Sequence, residues 1–323
     1  TLKGELASPS IDLFLDSQSR RLLSLYPERR IICLHDSTDP ENPWKRIGIS
    51  NSEVEPLLYS ILRLSPQWTE KPDARLAFFA PLLGHADPFI STLAHLEIGN
   101  APYASIRSLG TILPRNEIHA FLDNFRMSEW HALYILMLAQ SAHPDDQARI
   151  RNTIKTSSKF STTRQLPAWA TALIEIDGFQ AIELLEEQYF NQSNRNPDEI
   201  RGILLAFSTQ GSAGPGPLRE RIIASYQDLL DQHPEFAPAL PADLEKWQRH
   251  DLADPIASQL QSSPGSFDLP ATLALRSYLR SSTIRTRETP ITQPKGLLVA
   301  VSCLLLMPVI LGLTGVHRKT LKQ

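Results

Sequence analysis

Nine histidines are the residues of this sequence best suited to chemistry, because an imidazole binds metals and transfers protons near neutral pH. Their spacing supports no local site, since the chain has no His-Glu-x-x-His, Cys-x-x-Cys or Cys-x-x-Cys-His pattern. His85, His143 and His233 lie beside prolines or an Asp-Pro step, so we predict solvent-exposed turn residues. Glu117 and His119 are two residues apart, which directs them to different helix faces. We therefore expect no metal and no attached haem, and no pattern proposes another cofactor.

Nucleophilic and acid–base patterns are equally weak. Ser212 lies in a glycine-rich stretch without the preceding strand that a nucleophile elbow needs. The same stretch, residues 211–217, is not followed by the Gly-Lys-Ser/Thr of a phosphate-binding loop. The carboxylate pairs Glu186-Glu187 and Asp145-Asp146 are predicted on solvated helix faces or in first helical turns, where they complement the helix dipole. These patterns favour a protein that is not an enzyme.

Aromatic residues recur among the apolar helical positions of the middle of the chain: Trp130, Tyr134, Trp169, Tyr189, Phe190 and Trp247. Core packing is the first interpretation for all of them. The alternative is that some line a binding surface, because an aromatic ring brings a large contact area at low entropic cost. Trp130, Trp169 and Trp247 are the candidate binding anchors under that alternative.

The charge of the chain excludes a general attraction to nucleic acid or to an anionic lipid surface. Four of the 32 Lys and Arg residues, and none of the 35 acidic residues, lie at or after Lys295, so the preceding residues have a net charge of −7. Five arginines suggest a basic stripe, but neighbouring acids predict a mixed, screened surface instead. These arginines are Arg107, Arg115, Arg126, Arg149 and Arg151.

The elements that carry these residues are predominantly helical from residue 51 to residue 280. Asn51 is predicted to cap the first helix, and later helices are predicted to begin where an Asp or Asn cap lies near a proline. Proline suits a first helical turn because its missing N–H has no partner there. The recurrent helix starts are Asp87-Pro88, His143-Pro144, Asn196-Pro197 and Asp254-Pro255.

Residues 74–99 resemble a HEAT-type repeat. A first helix ends near Gly84, Asp87-Pro88 makes a tight turn, and a second helix carries Ile90, Leu93, Ala94 and Leu96. Weaker copies of this scheme extend the resemblance over residues 72–260. The resemblance implies a mainly α protein, an α-solenoid whose helical hairpins contact only their neighbours and whose concave side binds proteins.

The flanks of this body differ from it. Residues 1–50 are predicted to be a small β-rich segment, because residues 11–16 alternate in polarity and residues 31–34 form a β-branched run. Residues 210–217 are predicted to be a non-helical turn, and residues 281–295 an extended tether with two prolines. The first residue, Thr1, predicts either a removed leader or a longer precursor.

Residues 296–316 predict a single transmembrane helix that begins at Gly296 and ends at Val316. The stretch is uncharged and about 31 Å long as a helix, which matches a bilayer core. Pro308 is expected to kink this helix, and Gly312 and Gly315 to let it pack against another one. The basic tail, residues 317–323, predicts a cytoplasmic C-terminus and a body outside the cytoplasm, in the periplasm.

Together these features predict a membrane-anchored scaffold for protein–protein interactions, an accessory subunit that binds a protein partner in a membrane complex and contacts lipid through residues 296–316. The main alternative is an envelope hydrolase with a site in the helical body, which would require a buried carboxylate in a deep cleft. A third hypothesis is that the N-terminal strands bind a ligand while the helices support them.

Overall fold

The chain is mainly helical, with a small sheet near its N-terminus. The computed structural model describes residues 14–41, 43–109, 113–262, 265–287 and 311–313. The chain divides into two compact units, and the boundary between them lies between Ala94 and His95. The helices are α1 Ser17–Leu25, α2 Val54–Trp68, α3 Pro72–Phe79, α4 Pro88–Gly99, α5 Tyr103–Leu109, α6 Arg115–Asp123, α7 His131–Leu138, α8 Pro144–Phe160, α9 Leu166–Asp177, α10 Phe179–Leu185, α11 Pro197–Ala213, α12 Gly216–Gln232, α13 Pro241–Lys246, α14 Ala253–Ser262 and α15 Leu269–Arg287.

The sheet of the first unit has two N-terminal strands, β1 Ile31–His35 and β2 Trp44–Ile49, which run antiparallel with a bulge between Ile32 and Cys33. Ile32 packs with Val54, Leu58 and Ile90 in a small hydrophobic core. The predicted strand character of residues 31–34 is thus confirmed. The second strand, β2, also lies within the predicted β-rich segment of residues 1–50. The strand-like alternation predicted for residues 11–16 is wrong where it can be compared, because Asp16 caps a helix, α1, by accepting the backbone N–H of Ser19 at 2.7 Å.

A third short strand, β3 Leu311–Leu313, lies on the other side of β1. These three residues belong to the predicted transmembrane helix and are extended instead. Residues 296–310 and 314–316 of that prediction lie outside the described residues. These ranges contain Gly296, Pro308, Gly315 and Val316. Within the described ranges, no helix is both long and apolar enough to cross a bilayer. The membrane helix therefore stays a prediction.

In the second unit, α9 is the central helix and packs against α7, α8 and α11, while α11 in turn packs against α12. The buried residues of α9 include the small side chains of Ala168, Ala170 and Ala172, which let neighbouring helices approach closely. Paired helices of this kind are compatible with the HEAT resemblance, which stays a prediction because the structure identifies no HEAT repeat.

Two predicted helix breaks are displaced. Residues 210–213 are helical within α11, and the chain turns only at Gly214 and Pro215. The side chain of Gln210 is buried and donates to the carbonyl of Thr171 at 2.9 Å, so tertiary contacts stabilise the helix against the low propensity of glycine. Likewise, α15 continues to Arg287, so the tether prediction is wrong for residues 281–287. Residues 288–295 lie outside the described ranges.

The predicted helix starts agree well with the structure. Asn51 accepts the backbone N–H groups of Glu53 and Val54, each at 2.9 Å, and His143 caps α8 through Nδ1. Asn196 forms a full capping box with Glu199 at the start of α11. Local side chain to backbone bonds therefore define these starts, as the sequence indicates.

Replacing the cap of α11 gives a first test. We expect Asn196→Ala to lower the free energy of unfolding by about 1 kcal/mol, because the N–H of Asp198 loses its acceptor, now 2.9 Å away. Urea denaturation followed by circular dichroism measures the change. Asn194→Ala is the matched control, since Asn194 is exposed and lies outside the helix. Equal effects of the two substitutions would contradict a capping role.

Candidate functional site

An open groove of about 460 Å³ lies in the second unit, where α9, α10, α11 and the start of α12 meet. We call it the Glu175 groove. Its walls are largely apolar, and its charged residues are Arg107 and Glu175. The residues that line it are Arg107, Ile174, Glu175, Gly178, Phe179, Gln210, Pro215, Pro217 and Leu218.

The polar floor of the groove is one connected hydrogen-bond network centred on Glu175. Arg107 donates to Glu175 Oε2 from Nη2 at 2.6 Å and from Nε at 2.9 Å. Tyr103 donates its hydroxyl to the same oxygen at 2.9 Å, and Gln210 donates its amide at 3.0 Å. Arg107 also donates to the carbonyl of Ala213 at 2.7 Å, at the C-terminal end of α11. The network therefore ties α5, α9 and α11 together behind the groove.

The network leaves one acceptor of Glu175 unused. Burial by itself raises the pKa of the Glu175 carboxyl, but hydrogen bonds from Gln210, Arg107 and Tyr103 outweigh burial and hold that pKa below its usual value. Glu175 is therefore ionised at neutral pH. All its hydrogen bonds go to Oε2, and Oε1 accepts none from a described residue. A ligand that donates an N–H can use this second oxygen.

The rim of the groove depends on a glycine turn. Gly178 ends α9 with φ at 57°, a left-handed conformation that favours glycine, and a Cβ there would meet no atom within 4 Å. The turn starts α10 at Phe179, whose side chain is 47% exposed. An exposed aromatic ring thus stands beside Pro215, Pro217 and Leu218 at the groove.

A second polar cluster is buried beside α8 and serves packing. Asp146 is fully buried and accepts two hydrogen bonds from Arg115, at 2.7 Å each, one from His119 and one from Ser141. Arg149 donates to Nδ1 of His119 at 2.9 Å, which assigns the proton of the neutral ring to Nε2, facing Asp146. Because both ring nitrogens are engaged, His119 has no free lone pair with which to act as a base.

The prediction that both carboxylate pairs are solvated is only partly correct. The expectation of solvated pairs is wrong for Asp146, and for Glu186, whose side chain is 12% exposed and pairs with Arg221. Asp145 is 80% exposed in the first turn of α8, as expected. Arg115 and His119 lie 31 and 27 positions from Asp146, and Arg221 lies 35 positions from Glu186. No local pattern predicts contact at such separations.

The three tryptophan candidates are not brought together. Trp247 is 8% exposed and packs against Gly211 and Tyr226. Trp130 is half-buried against His95, with ring centroids 4.9 Å apart, and Trp169 is half-buried on α9. None of them is among the residues that line the Glu175 groove. Sequence reasoning missed Phe179, whose position directly after Gly178 was the available signal.

The arginines predicted to lie on a mixed surface are mostly paired with acids. Arg107 pairs with Glu175, and Arg115 with Asp146. The remaining pairs are Arg149 with Asp123 and Arg151 with Asp177. Arg126 is the exception among the five, since it forms no ion pair with a described residue. These contacts argue against a continuous basic stripe.

The histidines do not assemble into a metal site. In the part of the chain that the structure describes, no group of three or more His, Cys, Asp or Glu side chains could hold a metal ion. His85 and His143 accept backbone N–H groups at helix starts, and His233 bonds the carbonyl of Phe190 at 2.8 Å. His95, fully buried, lies 2.6 Å from the hydroxyl of Tyr134.

Comparison with known proteins gives no relative from which a role could be taken. No family model matches the chain, and no curated protein or solved structure shows significant similarity to it. The function must therefore be inferred from the groove and its residues.

Proposed function

We propose that this chain is a membrane-anchored scaffold for protein–protein interactions, an accessory subunit of a membrane complex that holds a segment of its partner in the Glu175 groove. The observation that supports this proposal is a groove with a largely apolar lining that includes Glu175, whose Oε1 accepts no hydrogen bond from a described residue. Sites that bind proteins or small ligands commonly combine apolar surface with a few placed polar groups.

An extended peptide segment has the matching chemistry. Its backbone offers N–H donors to Oε1 of Glu175, and its apolar side chains can contact Phe179, Pro217 and Leu218. Because Arg107 already neutralises Glu175, a neutral segment suffices and no strongly charged ligand is required. The groove is rigid before binding, since its floor is fixed by the hydrogen-bond network, and this rigidity lowers the entropic cost of association.

The groove favours binding over hydrolysis. A hydrolase of the predicted kind needs a carboxyl group that is protonated near neutral pH, so that it can act as a general acid. The pKa of Glu175 is instead lowered, and its donors keep it ionised. The scaffold interpretation uses Glu175 in this ionised form, as an acceptor.

The membrane part of the proposal is supported by the sequence alone. Residues 296–316 are uncharged and long enough to cross a bilayer, and the basic tail after them favours a cytoplasmic C-terminus. The helical body would then lie in the periplasm, where its partner would also present the bound segment.

A truncation at the groove rim tests the proposed binding. We expect Phe179→Ala in the full chain to weaken binding of the copurifying partner by about 2 kcal/mol, roughly 30-fold, because a rim aromatic is lost. The measurement is the amount of partner recovered in mild detergent, together with photocrosslinking from benzoylphenylalanine placed at position 179. The partner should appear as one discrete adduct.

The matched control is Phe160→Ala, which removes a more exposed phenylalanine, 66% accessible, that is not part of the groove. It should leave the recovery of the partner unchanged. A chain that runs as a lone monomer, or that forms no discrete adduct from position 179, would rule out the proposed function.

A further inference from the structure

Two exposed phenylalanines lie next to loops that contact each other in the second unit. Phe125 is 74% exposed on the turn between α6 and α7, and Phe160 is 66% exposed at the end of α8. The loops are joined by a hydrogen bond of 3.1 Å from the side chain of Gln165 to the carbonyl of Ser128. Such exposure has no packing benefit within the fold, because each ring leaves most of its apolar surface in water.

Each of these rings is accompanied by a cation. The guanidinium of Arg164 lies 4.9 Å from the ring centroid of Phe125, and the ammonium of Lys159 lies 5.4 Å from that of Phe160. Arg126 adds a third cation next to Phe125 in the chain. We call these five residues the Phe125/Phe160 edge.

Most arginines of residues 95–262 are paired with acids, but the cations of this edge are not. Arg126, Lys159 and Arg164 form no ion pair with any residue that the structure describes. Apart from Arg219, which donates to the carbonyl of Gly211, every other arginine in residues 95–262 is paired with an acid. The paired residues are Arg107, Arg115, Arg149, Arg151, Arg195, Arg201, Arg221 and Arg249.

The loop that follows Phe160 and carries Arg164 is held in an unusual conformation. Ser161 and Gln165 have φ values of 50° and 54°, and only Gln248 joins them among the non-glycine residues of the described chain with positive φ. Such conformations are costly for residues with a Cβ and persist where the surroundings impose them. The loop therefore presents its phenylalanine and its cation in a defined arrangement.

We propose that the Phe125/Phe160 edge docks on the surface of a bilayer that contains anionic lipid. The two rings would enter the interfacial region, while Arg126, Lys159 and Arg164 would reach lipid phosphates along their apolar stems. Unpaired cations match a negative surface, and each basic residue near such a surface strengthens binding severalfold. Phenylalanine side chains need no polar partner in that environment. The docking does not require the Glu175 groove to be occupied.

Lipid photocrosslinking of the full chain tests this proposal. Benzoylphenylalanine replaces Phe160 in one variant and Phe179 in a control variant, and each chain is mixed with vesicles of phosphatidylcholine with or without phosphatidylglycerol. We expect phosphatidylglycerol adducts from position 160, at least about tenfold above those from position 179. Omitting the anionic lipid should reduce the adducts, and so should high salt.

A second experiment removes two of the positive charges of the Phe125/Phe160 edge. The exposed double substitution Lys159→Gln with Arg164→Gln should lower the lipid adducts from position 160 about tenfold, with the circular dichroism spectrum unchanged. Equal yields of lipid adducts from positions 160 and 179 would overturn the proposal. So would a yield that does not change when the anionic lipid is omitted. Adducts from position 160 to protein only would assign the edge to a protein partner and would overturn it too. Neither result bears on crosslinking of a partner from position 179.

Discussion

Gly211→Ala is expected to destabilise the chain by about 3 kcal/mol, although alanine is a better helix former than glycine. Gly211 is buried within α11, and a Cβ placed there would lie 2.3 Å from Cζ2 of Trp247. The indole cannot move away freely. It donates to Ser212 Oγ at 3.1 Å and is stacked on Tyr226 with centroids 5.9 Å apart. Urea denaturation measures the loss.

The same helix offers a control with the opposite sign. At Gly202 an added Cβ would meet Leu166 at 3.5 Å, an ordinary contact, so Gly202→Ala should be neutral or stabilising by up to about 1 kcal/mol. In a Trp247→Leu background, the cost of Gly211→Ala should vanish, because the clashing ring is gone. If the two glycine substitutions had equal effects, the close approach of Trp247 would not be the cause.

Asp146→Asn is the second substitution with a large expected effect, a loss of about 3 kcal/mol in the free energy of unfolding. Asparagine keeps the shape of the side chain but removes the charge and presents N–H groups to Arg115, which can only donate. The estimate lies at the low end for a broken buried pair, because the side chains of Arg115 and His119 are 44% and 24% exposed and can regain water.

The neighbouring residue provides the control for this substitution. Asp145→Asn makes the same chemical change in the same helical turn on a side chain that is 80% exposed, and should change stability by less than about 0.5 kcal/mol. Urea denaturation of both variants measures the difference. A loss for Asp145→Asn as large as that for Asp146→Asn would point to the helix dipole rather than to the buried cluster.

The buried Asp146 should also make the stability of the chain depend on pH. Burial alone raises the pKa of Asp146, but hydrogen bonds from Arg115, Ser141 and His119 outweigh it and hold the pKa far below its usual value. The unfolded carboxyl titrates near about 3.9. The contribution of Asp146 to the free energy of unfolding is therefore complete above about pH 5 and is lost as the pH falls toward the lowered pKa. Between neutral and acid pH, the wild type should lose more stability than Asp146→Asn.

Local features of the fold were predictable because their causes are local. Caps at Asn51, Asp87, His143 and Asn196 involve N–H groups within three residues, so a short pattern is sufficient to place them. The strand at residues 31–34 is likewise visible as a β-branched run. The predictions failed where distant residues decide the conformation, as at residues 210–213, which α9 and Trp247 hold in a helix.

The candidate groove was not predictable in the same way. Arg107, Glu175 and Gln210 are ordinary polar residues of three separate helices, and their sequence neighbours give no sign that they share one network. The tryptophans were predicted to be binding anchors from their residue type alone, whereas the aromatic residue that lines the groove is Phe179. Contact over long sequence separations depends on how the helices pack, and single residue types do not report it.

By itself, the sequence determined the helical character of the chain, the starts of α4, α8 and α11, and the uncharged stretch from Gly296 to Val316 that predicts a membrane helix. These properties follow from backbone propensity, capping and hydropathy, each of which acts over a few residues. Only the tertiary structure decided that Asp146 is buried, that Glu175 keeps one oxygen free beside a groove, and that Phe125 and Phe160 share an edge. Those outcomes arise from the packing of helices that are distant in the chain, where burial and pairing set the charge and exposure of each side chain.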